Sequence, residues 1–267
     1  MTTRRDFVKL AAATGLIGVA SPLRSLARLN IGVGTFSYHN LSIDDMISQL
    51  NKLRIREIEM SRGEFMLLSH PRPELFRSTR VKLDRAGIRC VSYYAATIKD
   101  AGDIEDAVRF AKLLGCTNIT GDGMETVLKQ IDQRLSQEGL TFGLHNHFFP
   151  NITFAYQSPE EVLRAISGLS KTMGATADTG QFASCGYDPT DAIRNLAPRL
   201  RVVHLKDVKA KGSDVNTLLG EGIARIPAVM QELHRQNFAG LVAVEYEKED
   251  DVDHDMAKEI AYARKLA

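Results

Sequence analysis

The chain has 267 residues, of which 44% are hydrophobic and 25% are charged, and its 34 basic and 33 acidic side chains give a formal net charge of +1. This composition excludes a disordered, collagen-like or low-complexity chain. A near-neutral chain has no overall attraction for phosphate backbones or anionic lipid, so we do not expect nucleic acid as a partner. The length accommodates one large domain or two small ones.

The first 27 residues have the pattern of an export signal. Arg4 and Arg5 precede an uncharged stretch, rich in Ala and Gly, that runs from residue 10 to residue 23. This stretch is too short to span a bilayer comfortably, and the paired arginines resemble the twin-arginine export motif. A basic N-terminal helix is the alternative. We therefore expect a twin-arginine signal peptide at residues 1–27, the twin-arginine export machinery as a partner, and a periplasmic or otherwise exported bacterial protein.

Short β-branched or apolar runs recur along the rest of the chain and predict strands. The predicted strands comprise residues 30–37, 55–60, 88–94, 116–120, 141–147, 174–179, 201–206 and 241–247. Segments with helical periodicity separate them, each long enough to return the chain to the start of the next strand. Strict alternation of strands and helices predicts parallel strands joined by right-handed crossovers.

Capping residues mark the starts of three helices. Ser42 precedes a helix with an acidic third position, Ser158 opens a capping box, and Asp188 precedes a proline at the first helical position. The other predicted helices comprise residues 73–86, 103–114, 124–137, 226–235 and 252–266.

The domain organisation follows from the unbroken alternation. No linker rich in Pro, Gly or Ser divides residues 28–267, so we expect one domain. The alternative fold is an open doubly wound sheet, which typically has a Gly-x-Gly-x-x-Gly turn after its first strand. Residues 32–37 lack the third glycine of this motif. We therefore predict that residues 28–267 form a single (β/α)8 TIM barrel of the α/β class.

Polar residues close the last four predicted strands. In a (β/α)8 barrel these strand ends share one rim, where catalytic groups lie. Two carboxylates and two imidazoles buried together are costly unless a cation neutralises them, and mixed nitrogen and oxygen ligands suit Mn, Fe, Co or Zn. We therefore predict a site for one divalent cation, with Mn as the first expectation and Zn, Co, Fe or Mg as alternatives. Its predicted ligands are His145, Asp178, His204 and Glu245.

The same strand ends resemble a known family. The motifs that carry the resemblance are His145-Asn146-His147, Asp178-Thr179-Gly180-Gln181, His204-Leu205-Lys206-Asp207 and Gly220-Glu221-Gly222. They resemble the sugar phosphate isomerase/epimerase family, the xylose isomerase-like barrels that include hydroxypyruvate isomerases, ketose 3-epimerases and inosose dehydratases. The resemblance implies that Asp178, His204 and Glu245 are ligands. Many members have a glutamate in place of His145, and in the epimerases that glutamate is both a ligand and one of two bases, so whether His145 or His147 is the fifth-strand ligand stays open.

Further residues of the same rim are candidates for catalysis and substrate binding. The candidate proton-transferring residues are Glu245, Glu59 and His145. Glu59 ends the second predicted strand and points into the same mouth if the alternation holds; an exposed strand-end carboxylate is the alternative. The candidate substrate-binding residues are His147, Gln181, Lys206 and Glu247. We also expect aromatic groups at the rim, namely Tyr38, His39, Tyr93 and Tyr94.

The resemblance and the metal site together imply an enzyme that acts on a small-molecule carbohydrate. The cation would bind a carbonyl oxygen and a neighbouring hydroxyl, so that a base can remove the proton between them and form an enediolate. We expect an isomerase or epimerase of a sugar or keto-sugar. The alternatives are a lyase or dehydratase of a keto-sugar or glycoside, and a non-catalytic sugar-binding barrel. The sequence leaves open whether the protein is a homo-oligomer.

Overall fold

The fold is a closed barrel of eight parallel strands that lie around the barrel in chain order, with the last strand paired to the first. The structure, a computed structural model, describes residues 28–151, 156–248 and 252–267. The barrel strands are β1 Asn30–Gly34, β2 Glu57–Met60, β3 Arg89–Ile98, β4 Asn118–Gly123, β5 Thr141–His145, β6 Met173–Asp178, β7 Leu200–Leu205 and β10 Leu241–Val244. A short antiparallel pair, β8 Asp207–Val208 and β9 Asn216–Thr217, follows β7. The predicted (β/α)8 barrel is confirmed, and the predicted signal peptide at residues 1–27 lies outside the described residues.

Helices cover the outside of this barrel. The helices in the described residues are α1 Ile43–Lys52, α2 Pro73–Arg85, α3 Ala101–Leu114, α4 Leu128–Glu138, α5 Pro159–Ala165, α6 Thr179–Cys185, α7 Pro189–Leu196, α8 Ile226–Arg235 and α9 Val252–Leu266. The three predicted caps are confirmed, because the side chains of Ser42, Ser158 and Asp188 accept backbone N–H groups of the first turns of α1, α5 and α7. Within this described part of the chain, no helix has the length and apolar composition that crossing a membrane requires.

The alternation of side chains along the late strands separates two apolar regions. Val203 and Val242 belong to the large core that packs strands against helices. Val202, Leu241 and Ala243 belong to a separate small cluster on the opposite face of the strands. Since side chains two residues apart share a face, the residues that continue this second face toward the carboxyl ends of β7 and β10 point into the barrel. Hydrophobic residues thus fill the lower barrel, and polar residues follow at its upper end.

Two strands extend further than the sequence predicts. The predicted third and fourth strands end at residues 94 and 120, whereas β3 and β4 continue to Ile98 and Gly123. The pairing of β3 with β4 shifts register between Tyr94 and Ala96, and Ala96 has a positive φ of 64°. A Cβ on Gly121 would lie 2.4 Å from the carbonyl oxygen of Ala96, so the bulge needs glycine opposite it.

One buried acid holds α9 against the loop that follows β9. Glu259 accepts the backbone N–H of Leu219 through Oε1 at 3.0 Å, while its Oε2 has no hydrogen-bond partner among the described residues. Burial, together with the charges of Asp207 and Asp255, raises the pKa of Glu259 to about 8, although the Leu219 N–H lowers it. The folded protein therefore holds the proton of Glu259 at neutral pH.

This raised pKa predicts a pH-dependent loss of stability. A carboxyl with a folded-state pKa above its unfolded value contributes stability below about pH 4.5, and that contribution disappears as the pH rises toward about 8. Gln resembles the protonated acid, so Glu259→Gln should melt close to the wild-type temperature at pH 5 and above it at pH 8.5. Thermal unfolding across this range checks the prediction, with exposed Glu160→Gln as the control. A constant difference in melting temperature between Glu259→Gln and wild type would contradict it.

Candidate active site

The carboxyl ends of four neighbouring strands place buried polar side chains inside the barrel. His145 and Asp178 end β5 and β6, His204 is the penultimate residue of β7, and Glu245 directly follows β10. Asp178 is paired in register with His204 across β6 and β7. Each of the four side chains is at most 6% exposed. The barrel thus brings all four predicted ligands to one rim.

Three of these side chains form a compact cluster. His145, Asp178 and His204 each offer one atom within 4.8 Å of the others. His145 Nε2 lies 3.1 Å from His204 Nδ1, and both nitrogens lie 4.0 Å from Asp178 Oδ2. Glu245 adjoins the cluster, because its Oε2 lies 3.5 Å from His204 Nδ1. Two imidazole nitrogens and one carboxylate oxygen therefore lie close enough together to hold one metal ion, and a second carboxylate lies beside His204.

The two oxygens of Asp178 have different surroundings. Oδ1 accepts the backbone N–H of Gln181 at 2.9 Å and so caps α6. Oδ2 is buried and makes no hydrogen bond to any described residue, although the ammonium of Lys206 lies 3.2 Å away. A buried carboxylate oxygen without a hydrogen bond is costly, and this one faces two imidazole nitrogens. This donor set fits a divalent transition metal.

Glu59 lies beneath the cluster and orients one of its members. Its Oε1 is 2.5 Å from His204 Nε2, and its Oε2 accepts the hydroxyl of Thr120 at 2.7 Å. Glu59 is completely buried, which excludes the exposed alternative, and it points into the barrel toward His204 without being among the residues that line the cavity. A carboxylate on the far nitrogen of a metal-binding histidine fixes the tautomer that directs the other nitrogen at the metal.

The two cluster histidines have opposite pKa shifts. Burial, reinforced by the charges of His147, His204 and Lys206, holds the pKa of His145 well below its usual range. Burial also lowers the pKa of His204, but the carboxylates of Glu245 and Glu59 outweigh burial and raise this pKa to about 9. In the absence of a metal, His204 therefore carries part of the positive charge that the buried carboxylates require.

The geometry also distinguishes between the two histidines of the fifth strand. The Nε2 atom of His145 belongs to the cluster, whereas His147 Nε2 contacts His145 Nδ1 at 3.2 Å and the Tyr94 hydroxyl at 3.3 Å. Asp122 Oδ1 lies 3.7 Å from the same His147 nitrogen. Of the two, His145 is therefore the one that could hold a metal ion together with Asp178 and His204, and His147 lines the cavity above it.

A cavity of about 440 Å³ opens above the cluster. The four predicted substrate-binding residues all line it, namely His147, Gln181, Lys206 and Glu247. Of the aromatic residues expected at the rim, Tyr94 lines the cavity. Tyr38 and Tyr93 are buried in the core instead, and Tyr93 donates its hydroxyl proton to the carbonyl oxygen of Phe65. His39 is not among the lining residues.

Asp122 is a cavity residue that the sequence interpretation missed. It lies near the end of β4 and accepts the Thr97 hydroxyl through Oδ2 at 3.0 Å. The charge and hydrogen bond of His147 help to lower the pKa of Asp122, against the effect of burial. The predicted fourth strand stops at residue 120, so Asp122 is not among the candidate residues at the strand ends. The signal that could have found it is the pair of glycines around it, which continues the strand beside the β3 bulge.

Lys206 and Asp207 point to different parts of the barrel rim. The Lys206 ammonium lies among carboxylates inside the cavity. The Asp207 carboxylate instead accepts the backbone N–H groups of Gly220, Gly222 and Ala224 at 2.9 to 3.0 Å. A Cβ on Gly222 would lie 2.2 Å from Asp207 Oδ1, so only glycine fits there. Asp207 therefore fixes the Gly220-Glu221-Gly222 loop, and Lys206 is left for the site.

The contact between Glu59 and His204 predicts an effect on metal affinity. Replacing Glu59 by Gln keeps the shape but removes the charge that supports the His204 ring, and such substitutions weaken metal binding by about 10- to 100-fold. Competition with a chromophoric chelator for Zn²⁺ measures the change. Glu57→Gln is the matched control, because Glu57 lies on the same strand and pairs with Arg89 and Asn30. Equal zinc affinities of the two variants would refute the role of Glu59.

Comparisons with known proteins agree with this architecture. Residues 99–266 match the family described as xylose isomerase-like TIM barrel. The inosose dehydratase of Mesomycoplasma hyopneumoniae strain 7448 is 26% identical over 166 residues, which cover 56% of this chain and 53% of the relative. The chain spans about half the length of the curated relatives it matches.

Solved structures share the fold at low sequence identity. A D-tagatose 3-epimerase-like protein superposes with a TM-score of 0.70 at 17% identity, covering 89% of this chain and 98% of that one. The IOLI protein, whose structure has a bound zinc atom, superposes with a TM-score of 0.69 at 14% identity and covers 89% and 96%. The family match extends over most of the chain, and the closed barrel agrees with it. The chain therefore belongs to the xylose isomerase-like TIM barrel family.

Proposed function

We propose that the protein is a divalent-metal-dependent isomerase or epimerase that acts on a sugar or keto-sugar through an enediolate. The observation that carries this proposal is the buried cluster of His145, Asp178 and His204 at the base of a polar-lined cavity, with Asp178 Oδ2 lacking a hydrogen bond. Epimerase-like and dehydratase relatives support the same general chemistry.

The metal would be held by His145 Nε2, Asp178 Oδ2, His204 Nδ1 and Glu245. A bound divalent cation polarises a substrate carbonyl and stabilises negative charge on its oxygen. Mn is our first expectation, with Zn, Co, Fe or Mg as alternatives. The IOLI structure, which shares the fold, has a bound zinc atom, and this supports a metal of this kind.

Glu245 is the carboxylate best placed to remove a proton from carbon. It lines the cavity and is buried, and burial raises its pKa above the usual range despite the opposing charges of His204 and Lys206. A carboxylate with a raised pKa is a stronger base than a solvated one. We assign it the proton on the carbon next to the carbonyl.

His147 is the group we assign to the return of the proton. His145 was also a candidate for proton transfer. Its two ring nitrogens contact the imidazoles of His204 and His147, and this arrangement favours a role as metal ligand instead. His147 lines the cavity and contacts Tyr94 and Asp122, so its ring is held in place and can pass a proton to the neighbouring carbon or to the opposite face. Lys206, Gln181 and Glu247 are left to hold substrate oxygens.

A lyase or dehydratase of a keto-sugar or glycoside is the second candidate. In a two-carboxylate epimerase, as the resemblance implies, a glutamate stands in place of His145, whereas the second proton-transferring group assigned here is the imidazole of His147, which contacts Tyr94 and Asp122. An imidazole can protonate a departing hydroxyl after the first proton is removed, so that water or an alcohol leaves and a double bond forms. The inosose dehydratase relative also favours this outcome.

Hydrogen exchange with solvent tests the shared first step. The metal-loaded protein, incubated in D2O with ketoses, 3-keto sugars and inososes, should incorporate deuterium next to the carbonyl, as measured by NMR. Glu245→Gln should reduce the exchange rate by about 10²- to 10⁴-fold, while exposed Glu160→Gln should not. An epimer or isomer as product identifies the first candidate, and loss of water or alcohol the second. No exchange across the panel with metal bound overturns the enzyme proposal, and sugar binding without exchange indicates a non-catalytic barrel.

We also propose export through the twin-arginine route, on the sequence of residues 1–27 alone. Replacing both Arg4 and Arg5 by Lys should retain the protein in the cytoplasm of a bacterial host, as shown by cell fractionation. Unchanged export of this double variant would contradict the proposal.

A further inference from the structure

The ammonium of Lys206 lies within contact distance of three carboxylates. It is 3.2 Å from Asp178 Oδ2, 3.4 Å from Glu245 Oε2 and 2.5 Å from Glu247 Oε1. The side chain is only 3% exposed, so water screens these contacts poorly. The oxygens of Asp178 and Glu245 are those that a divalent cation would use. The ammonium and the cation therefore compete for the same negative charge.

Contacts with Thr179 and Gly180 fix the backbone of Lys206 and the first carbons of its side chain. Its backbone N–H donates to the Thr179 hydroxyl at 3.0 Å, and that hydroxyl donates to the Lys206 carbonyl at 2.6 Å. The stem then crosses the first turn of α6 at Gly180, where a Cβ would lie 2.8 Å from Lys206 Cγ. The backbone and the start of the side chain are thus fixed, and movement is confined to the ammonium end.

Glu247 already accepts a hydrogen bond from this ammonium at 2.5 Å, and it offers a second position that does not involve Asp178 or Glu245. Its side chain is 33% exposed, whereas Asp178 and Glu245 are buried. Its backbone N–H donates to Asn216 at 3.1 Å, which holds the residue at the cavity wall. An ammonium that moves toward Glu247 keeps one carboxylate partner and leaves the other two to a metal.

We propose that Lys206 is a displaceable internal cation of the metal centre. Without a divalent cation its ammonium neutralises Asp178 and Glu245 as well as Glu247, and on metal binding it gives up the first two and keeps Glu247. This inference rests on the metal site of the proposed function and adds a cost to metal binding, because the ammonium must leave its two buried partners. The withdrawn ammonium is then available to a substrate oxygen only when the metal is in place.

A double-mutant cycle on zinc affinity tests the proposal. The probe is Zn²⁺ alone, titrated against a chromophoric chelator into metal-stripped wild type, Lys206→Met, Glu247→Gln and the double variant. Lys206→Met should bind zinc about tenfold more tightly, because the competing charge is gone while the apolar stem remains. Glu247→Gln should bind zinc several-fold more weakly in the wild-type background. Its effect should be much smaller beside Lys206→Met, since no ammonium then needs the second position.

The control is Lys209→Met, which removes an exposed lysine three positions along the chain and should leave zinc affinity unchanged. Zinc affinity that is equal or weaker in Lys206→Met, or an equal effect of Glu247→Gln in both backgrounds, overturns the proposal. If Lys206→Met does not fold, as judged by circular dichroism with zinc present, Glu247→Gln decides alone, and its unchanged affinity is the overturning result. Absence of zinc binding in the wild type refutes the metal site itself, which is a distinguishable failure of the proposed function.

Discussion

The rest of the site depends on two buried carboxylates, those of Asp178 and Glu245. Buried negative charge is stable only beside positive charge or a generous set of hydrogen-bond donors. The chain supplies Lys206 and a protonated His204 for this purpose, and both contact Glu245 at 3.4 to 3.5 Å. If a metal ion binds as proposed, each of these partners has to give way, His204 by losing its proton and Lys206 by keeping only its contact with Glu247.

The positions of these groups follow from the closure of the sheet. Parallel strands place their carboxyl ends on one rim, and the two-residue repeat decides which side chains face inward. On β7, Val202 and His204 lie two residues apart and so share the face that points into the barrel. Val202 packs in the lower, apolar part of the barrel, and His204 belongs to the polar cluster above it. Glu59 reaches the same place from β2, on the other side of the barrel, and contacts His204 at a sequence separation of 145 residues.

The sequence predicted the barrel and the four rim residues because both depend on local patterns. Each late strand is a short apolar run closed by a polar residue, and Ser158 with Glu161 marks a helix start in the same direct way. The role of Glu59 could not be predicted, because it depends on which residue lies across the barrel. Asp122 was missed because the β3 bulge at Ala96 extends the pairing beyond the predicted strand ends. The carboxylate partners of Lys206 were equally hidden, because the sequence does not show that its neighbour Asp207 accepts the backbone N–H groups of Gly220 and Gly222 instead.

The two oxygens of the Asp178 carboxylate have separate tasks, so the helix that this side chain caps does not depend on the bound ion. Oδ1 accepts a backbone N–H of α6, and this hydrogen bond does not depend on what binds at the rim. Oδ2 makes no hydrogen bond to the described residues and is the oxygen that would bind an ion. The helix that carries Gln181 is therefore anchored by the same side chain that would grip the ion. A change of the ion bound at Oδ2 would therefore leave the start of α6 and the position of Gln181 in the cavity wall unchanged.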